Sequence, residues 1–330
     1  MHMRAAAALF GAGACLLGLV LRAPAAHAQA CCTSTSTIFP ARLQDSENAL
    51  VGLRASGAVV YGSFDDQRVL RGQPAGASEV DFGQALLVTA RAGNEPLQFS
   101  VSVPFAETVR SAGGLNDAGG GLGDLQLSMR WDMLHAGKDP IVPGIAPLLS
   151  VTAPSGTAAD AAKNALGADA TGLGALQFGV GLALEQIFGR TLFAIATTAQ
   201  FHAARDVAGV HSQLGPDLAA TLGVSYTFRN GWALGGSVVY SNSFDTSVDG
   251  KDVANTARAL SQFAVTAAVP LKNDMRVLGS LFFVPPISSV GQNEAATVGV
   301  SLTLIYGFQS PTPQCNCAHG SCPMHAMHHH

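Results

Sequence analysis

Long apolar runs are missing from this chain. Beyond residue 28 no stretch reaches eighteen apolar residues, so no bilayer-spanning helix is encoded there. Charge is scarce as well, at 12% of residues, and neither sign prevails: 18 Lys and Arg against 22 Asp and Glu leave a formal net charge of −4. That is too small a field to imply nucleic acid or an acidic ligand as partner. Cysteine is absent from residue 33 to residue 314, which excludes a disulfide scaffold distributed through the fold. No Gly-x-Ser-x-Gly motif occurs, and His135, His202 and His211 stand in the central region without a nucleophile signature beside them. Hydrolase chemistry is therefore not indicated, and the chain is not expected to be an enzyme. Aromatics are few, at 7%, which is thin for a protein with two interfacial girdles.

Against these scarcities stands a hydrophobic content of 48%. Apolar residues in such number without a run must be dispersed, and here they alternate. Leu97-Gln98-Phe99-Ser100-Val101-Ser102-Val103 and Leu125-Gln126-Leu127-Ser128-Met129-Arg130-Trp131-Asp132-Met133 both have period two. That period gives a strand one oily face and one wet face. About twelve such segments run between residues 49 and 308, the sixth at Ala175–Glu185 and the last at Ala295–Phe308. Their connections alternate in length. Short links at 92–96, 187–190, 229–231 and 272–274, and a longer one at 135–144, interleave with long loops. The long loops are Ser63–Ser78, Ala106–Gly121, Pro154–Gly172, Ala203–Pro216, Asn242–Ala257 and Pro286–Glu294. The pattern predicts an all-β, transmembrane, antiparallel up-and-down β-barrel in a bacterial outer membrane, with an even strand number and both termini periplasmic. A soluble sandwich would bury its alternating apolar face and need not alternate its loop lengths.

The two ends read differently from the centre. Met1-His2-Met3-Arg4, the apolar run Ala5–Leu21 and Ala26-His27-Ala28 form a secretory signal, so residues 1–28 are expected to be removed and the mature chain to begin at Gln29. Residues 29–48 carry a Ser/Thr tract and no clear period; they are a periplasmic lead-in or a plug folded into the lumen, and both readings stay open. At the other end, residues 309–330 hold Cys315, Cys317, His319, Cys322, His325, His328, His329 and His330, with Met324 and Met327 among them. Thiolates and thioethers suit Cu(I), and thiolates with imidazoles suit Zn(II). Metal capture, disulfide pairing with Cys31 or Cys32, and a cloning remnant in the closing histidines all remain open for this tail. The barrel itself calls for no cofactor.

Inward-facing charges are the candidates for a constriction: Arg54, Glu79, Asp81, Asp124, Arg130, Asp132, Glu185 and Arg276. Asp124, Arg130 and Asp132 lie on the wet face of one strand, where charges either orient a permeant or form an ion-pair network that holds the barrel's shape. The last strand ends in Tyr306 and Phe308, spaced two apart, which resembles the terminal signal read by outer-membrane assembly machinery. Three stretches carry a wider resemblance: Gly121-Leu122-Gly123-Asp124-Leu125 opening a strand, Pro147 through Pro154-Ser155-Gly156 closing the next, and the Gly-rich strand Gly172–Leu184. These resemble a family of proteobacterial outer-membrane proteins labelled as meta-pathway phenol degradation or transporter proteins. The resemblance implies a barrel of this size that admits small, apolar or aromatic compounds; the label names no reaction. The partners expected are outer-membrane lipid, the assembly machinery and a small-molecule permeant moving down its gradient. The alternative function is metal handling, with Cu or Zn captured by the tail.

Overall fold

The computed structural model describes residues 41–309 apart from 94, 95, 138 and 140. The expected signal segment, residues 29–40 and the Cys/His tail from residue 310 lie outside them. Twelve strands form one barrel: β1 (Glu47–Phe64), β2 (Ser78–Arg91), β3 (Leu97–Ala112), β4 (Leu125–Trp131), β5 (Gly144–Ala153) and β6 (Gln177–Phe188). The circuit continues with β7 (Thr191–His202), β8 (Asp217–Thr227), β9 (Ala233–Ser243), β10 (Arg258–Pro270), β11 (Met275–Phe283) and β12 (Ala295–Gln309). Each pairs antiparallel with the next, and β12 pairs back onto β1 from Gln309 opposite Glu47 to Ala295 opposite Ser63. The ring is closed, so no barrel edge is left to recruit another chain.

Alternation determines which face each side chain takes. Along β12, Val298, Val300, Leu302, Leu304, Tyr306 and Phe308 are exposed on the outside, while Ser301, Thr303 and Ile305 turn inward. The other strands repeat the rule, and the result is a continuous apolar outer belt suited to lipid. Aromatics, few as they are, gather at the two rims of that belt. Trp131, Phe188, Phe193, Tyr226, Phe228, Tyr306 and Phe308 mark the end where the described chain begins and finishes. Three edge-to-face pairs reinforce it: Phe188–Phe193, Tyr226–Phe228 and Tyr306–Phe308, with ring centroids 5.9, 5.1 and 4.8 Å apart. Phe82, Phe178, Phe201, Tyr240, Phe263 and Phe283 mark the other rim. The low aromatic content is thus concentrated where an interface needs it.

Tight turns close the terminal end and long connections crown the other, here called the loop end. One long connection departs from expectation. The segment 106–121 is not a loop: β3 continues to Ala112, turns at Gly113-Gly114 and returns as a strand at Leu115–Leu122 paired with Phe105–Ala112. Both turn glycines have positive φ, 59° and 82°, the conformation a two-residue hairpin requires. The glycines at 119 and 120 serve close approach. A Cβ on Gly120 would lie 2.5 Å from the Ala106 carbonyl oxygen. The loop 154–176 lies on the inner face of this extension. Asp124 accepts hydrogen bonds from the Gly156 and Leu173 amides, and Arg110 donates to the Leu166 carbonyl. Loops 203–216 and 244–257 join through a small four-stranded sheet above the rim.

Inside, the terminal end is packed. Leu50, Leu87, Leu192, Leu278 and Ile305 point into the lumen at neighbouring heights and form one buried cluster with Ala233 and Ala268. Ala41 and Leu43, which precede β1, belong to the same cluster. The expectation that each strand turns a wet face inward fails for this layer, which is apolar.

Candidate functional site

Residues 41–46 enter the terminal end of the barrel and stopper it. Two interlocking devices hold them. The apolar one is the layer just described, in which Ala41 and Leu43 are each 3% exposed. Burying a leucine side chain of this kind contributes about 1.5–3 kcal/mol.

The polar device is a charge network beside that layer. β4 supplies Arg130, whose Nε donates to Asp132 Oδ1 at 2.8 Å and whose Nη2 donates to Glu185 Oε1 on β6 at 2.9 Å. Arg42, from the entering segment, donates through Nη1 to Glu185 Oε2 and lies 3.9 Å from Asp132. Two guanidiniums therefore meet two carboxylates, one of the cations arriving with the plug. Gln98 on β3 links both parties: its amide donates to Asp132 at 2.7 Å, and its carbonyl oxygen accepts the Leu43 backbone N–H at 3.1 Å. A second pair secures the segment's exit. Arg276 on β11 donates to Glu47, and to the Arg42 carbonyl at 3.5 Å. Arg91 donates to the Gln44 carbonyl at 3.2 Å and to the Glu47 carbonyl at 3.4 Å. Glu47 would face outward under strict alternation, but a register shift between Glu47 and Ala49 turns it inward.

Of the charges singled out from sequence, Arg130, Asp132, Glu185 and Arg276 converge here. The others do not. Glu79 pairs with Arg110 at 2.9 Å toward the loop end, and Asp81 accepts a hydrogen bond from Thr108 at 2.8 Å. Asp124 ties down the loop 154–176, as above, and has no partner in the network. Arg54 projects from the inner face of β1 one inward step beyond Gly52, and among the described residues it makes no hydrogen bond or ion pair. Arg42, Arg91, Glu47 and Gln98 were not singled out from sequence, nor was the apolar layer. A signal existed for the layer: Ala85-Leu86-Leu87-Val88 and Leu304-Ile305-Tyr306 break alternation with consecutive apolar residues near the terminal end of their strands. The eight Cys and His residues of the tail, Cys315 to His330, lie outside the described residues, and so does any metal they hold.

Above the stopper the lumen is hollow, and its wall mixes the polar side chains named next with Leu148, Ala196, Ala219 and Val239. A cavity of about 220 Å³ lies along the inner face of β4 to β9, walled by Gln126, Ser128, Ser150, Thr198, Gln200 and Thr221. A second, about 270 Å³, opens under the loops between Leu173, Arg205, Asp217, Phe244 and Arg258. His202 bridges these levels, with Nδ1 2.9 Å from the Gly215 carbonyl and Nε2 3.4 Å from Asp217.

Comparison with known proteins places this architecture. The fold matches an outer membrane channel from Pseudomonas putida F1 with a TM-score of 0.66 at 14% identity, over 81% of this chain and all of that one. Two porins, NanC and KdgM, give TM-scores of 0.44 and 0.42 at 11% identity, over 78% of this chain and 100% and 99% of theirs. No curated protein matches the sequence. The family model described as "Putative MetA-pathway of phenol degradation" matches residues 64–283, two thirds of the chain and ten of the twelve strands in full. The chain is a member of that family.

Proposed function

We propose that this protein is a non-catalytic outer-membrane channel through which small molecules, apolar or aromatic ones among them, pass down their gradient. On this reading the terminal end faces the periplasm, and the N-terminal segment is the gate. The observation that carries it is the contrast within one lumen. A barrel built only as an anchor would be packed with side chains from end to end. This one is hollow beneath the loops and at mid-height and closed by a short stretch of chain that contributes a separable counterion, Arg42. The fold shared with an outer membrane channel and the lipid-facing belt support the same reading.

The test is electrical. The full chain, refolded and added to a planar bilayer, is expected to show brief, discrete openings. Proteoliposomes carrying it are expected to admit small uncharged solutes faster than empty ones. If neither current nor solute flux appears, even with Arg42 replaced by Ala, the channel reading is wrong.

A further inference from the structure

The lone guanidinium of Arg54 is the feature that the plug does not explain. The other inward arginines are engaged: Arg91, Arg130 and Arg276 with the stopper's network, Arg110 with Glu79, Arg258 with Glu294. Arg54 is half-buried in the lumen and unpaired among the described residues. Its direct neighbours in register are Ala85 and Thr303, neither of which carries charge. The inner-face carboxylate toward the loop end on the adjoining strand, Asp81, is four pairs further along, about 13 Å at 3.3 Å per residue. Toward the terminal end, Gly52 stands between Leu87 and Ile305, which begin the apolar floor.

A fixed cation with no counter-charge beside it concentrates anions around it. A guanidinium is shaped for a carboxylate, presenting two parallel N–H donors. The Leu and Ile layer one step below is buried, with Leu87 1% and Ile305 3% exposed, and brings no donor, acceptor or charge to Arg54. A ligand that satisfies this one guanidinium has a single carboxylate, with a small body that meets the neutral Ala85 and Thr303 beside it.

We propose that Arg54 is a recognition site for small organic monoanions, which enter through the loop end and seat there before the plug releases. This deepens the channel reading and rests on it. Neutral sugars and dianions fit the site poorly, the first for lack of charge and the second because one charge stays uncompensated.

Hexanoate is a suitable probe and hexanamide its uncharged isostere, both at pH 7 on the full chain in planar bilayers. Hexanoate is expected to block the salt current at about one tenth the concentration of hexanamide, a gap of about 1.4 kcal/mol. Arg54→Gln is expected to abolish that gap and Arg54→Lys to keep part of it, because a point charge replaces the fork. Equal block by the two probes in the wild type, or a gap that survives Arg54→Gln, overturns the proposal while leaving the channel intact. The same probes are titrated against the refolded protein in detergent by saturation-transfer NMR. A silent barrel that binds hexanoate only when Arg54 is present upholds the site and removes the channel reading. A silent barrel in which hexanoate ignores Arg54 removes both.

Discussion

Arg42 is the side chain on which the seating of the N-terminal segment turns. Without it, Asp132 and Glu185 face each other across Arg130 alone, one cation for two buried carboxylates. Breaking one partner out of such a buried set is strongly destabilising, because the remaining charge is left uncompensated. Arg42→Ala is therefore expected to leave the barrel folded and to raise the fraction of time the channel is open at least tenfold in single-channel recordings. An unchanged open fraction would show that residues 41–46 are not the gate. A different pair works at the loop end. Arg205 donates to Asp160 at 2.7 Å and links the loops 154–176 and 203–216. That hydrogen bond holds the Asp160 carboxyl below its ordinary value of 3.8. Since the folded value is depressed, the link is complete above about pH 4 and is lost as pH falls through the folded value. Cleavage of the loop 154–176 by pepsin is expected to accelerate as pH drops from 4 toward 2, and Asp160→Asn is expected to flatten that dependence. At this scale the sequence was readable wherever parity rules: the inward direction of Arg130 and Arg276 follows from their neighbours. Glu47 was not readable, because its inward turn comes from a bulge that strict alternation cannot register.

Strands are where the sequence spoke most clearly. Each of the twelve was visible as a period-two segment, because a residue that faces lipid on one side and water on the other leaves no choice of polarity. One element escaped and another stayed undecided. The extension of β3 and its return strand were hidden by glycines whose absent Cβ atoms let Leu115–Leu122 pack flat against Phe105–Ala112. The stopper stood as one of two open readings of residues 29–48, because its six residues have no period of their own and acquire structure only from the lumen that receives them. The extension also makes a prediction. Gly120→Val places side-chain atoms against the Ala106 carbonyl, a clash with backbone that only a shift of the returning strand relieves. Overpacking of this kind costs about 1–3 kcal/mol. Proteolysis near Gly113 is expected to rise, while unheated protein still migrates as a compact barrel in a detergent gel. Loss of the compact form would mean that the extension is integral to barrel closure.

At the scale of the whole molecule, closure without edges and a rimmed apolar belt determine where the protein resides, and the contents of the lumen determine what it does there. The stopper adds one consequence. It is joined to β1 at Glu47 with no intervening linker, so it can never diffuse away, and every departure ends in a local search. For short tethers the effective concentration is in the millimolar range. A contact set worth only about 4 kcal/mol, equivalent to a millimolar dissociation constant, would then leave the passage open about half the time. Each further 1.4 kcal/mol shifts the ratio tenfold, whatever the number of copies in the membrane. On the gated-channel reading, leakiness is a property written into a few side chains of each molecule, and cells that make more of this protein would gain passages without changing how tightly any one of them shuts.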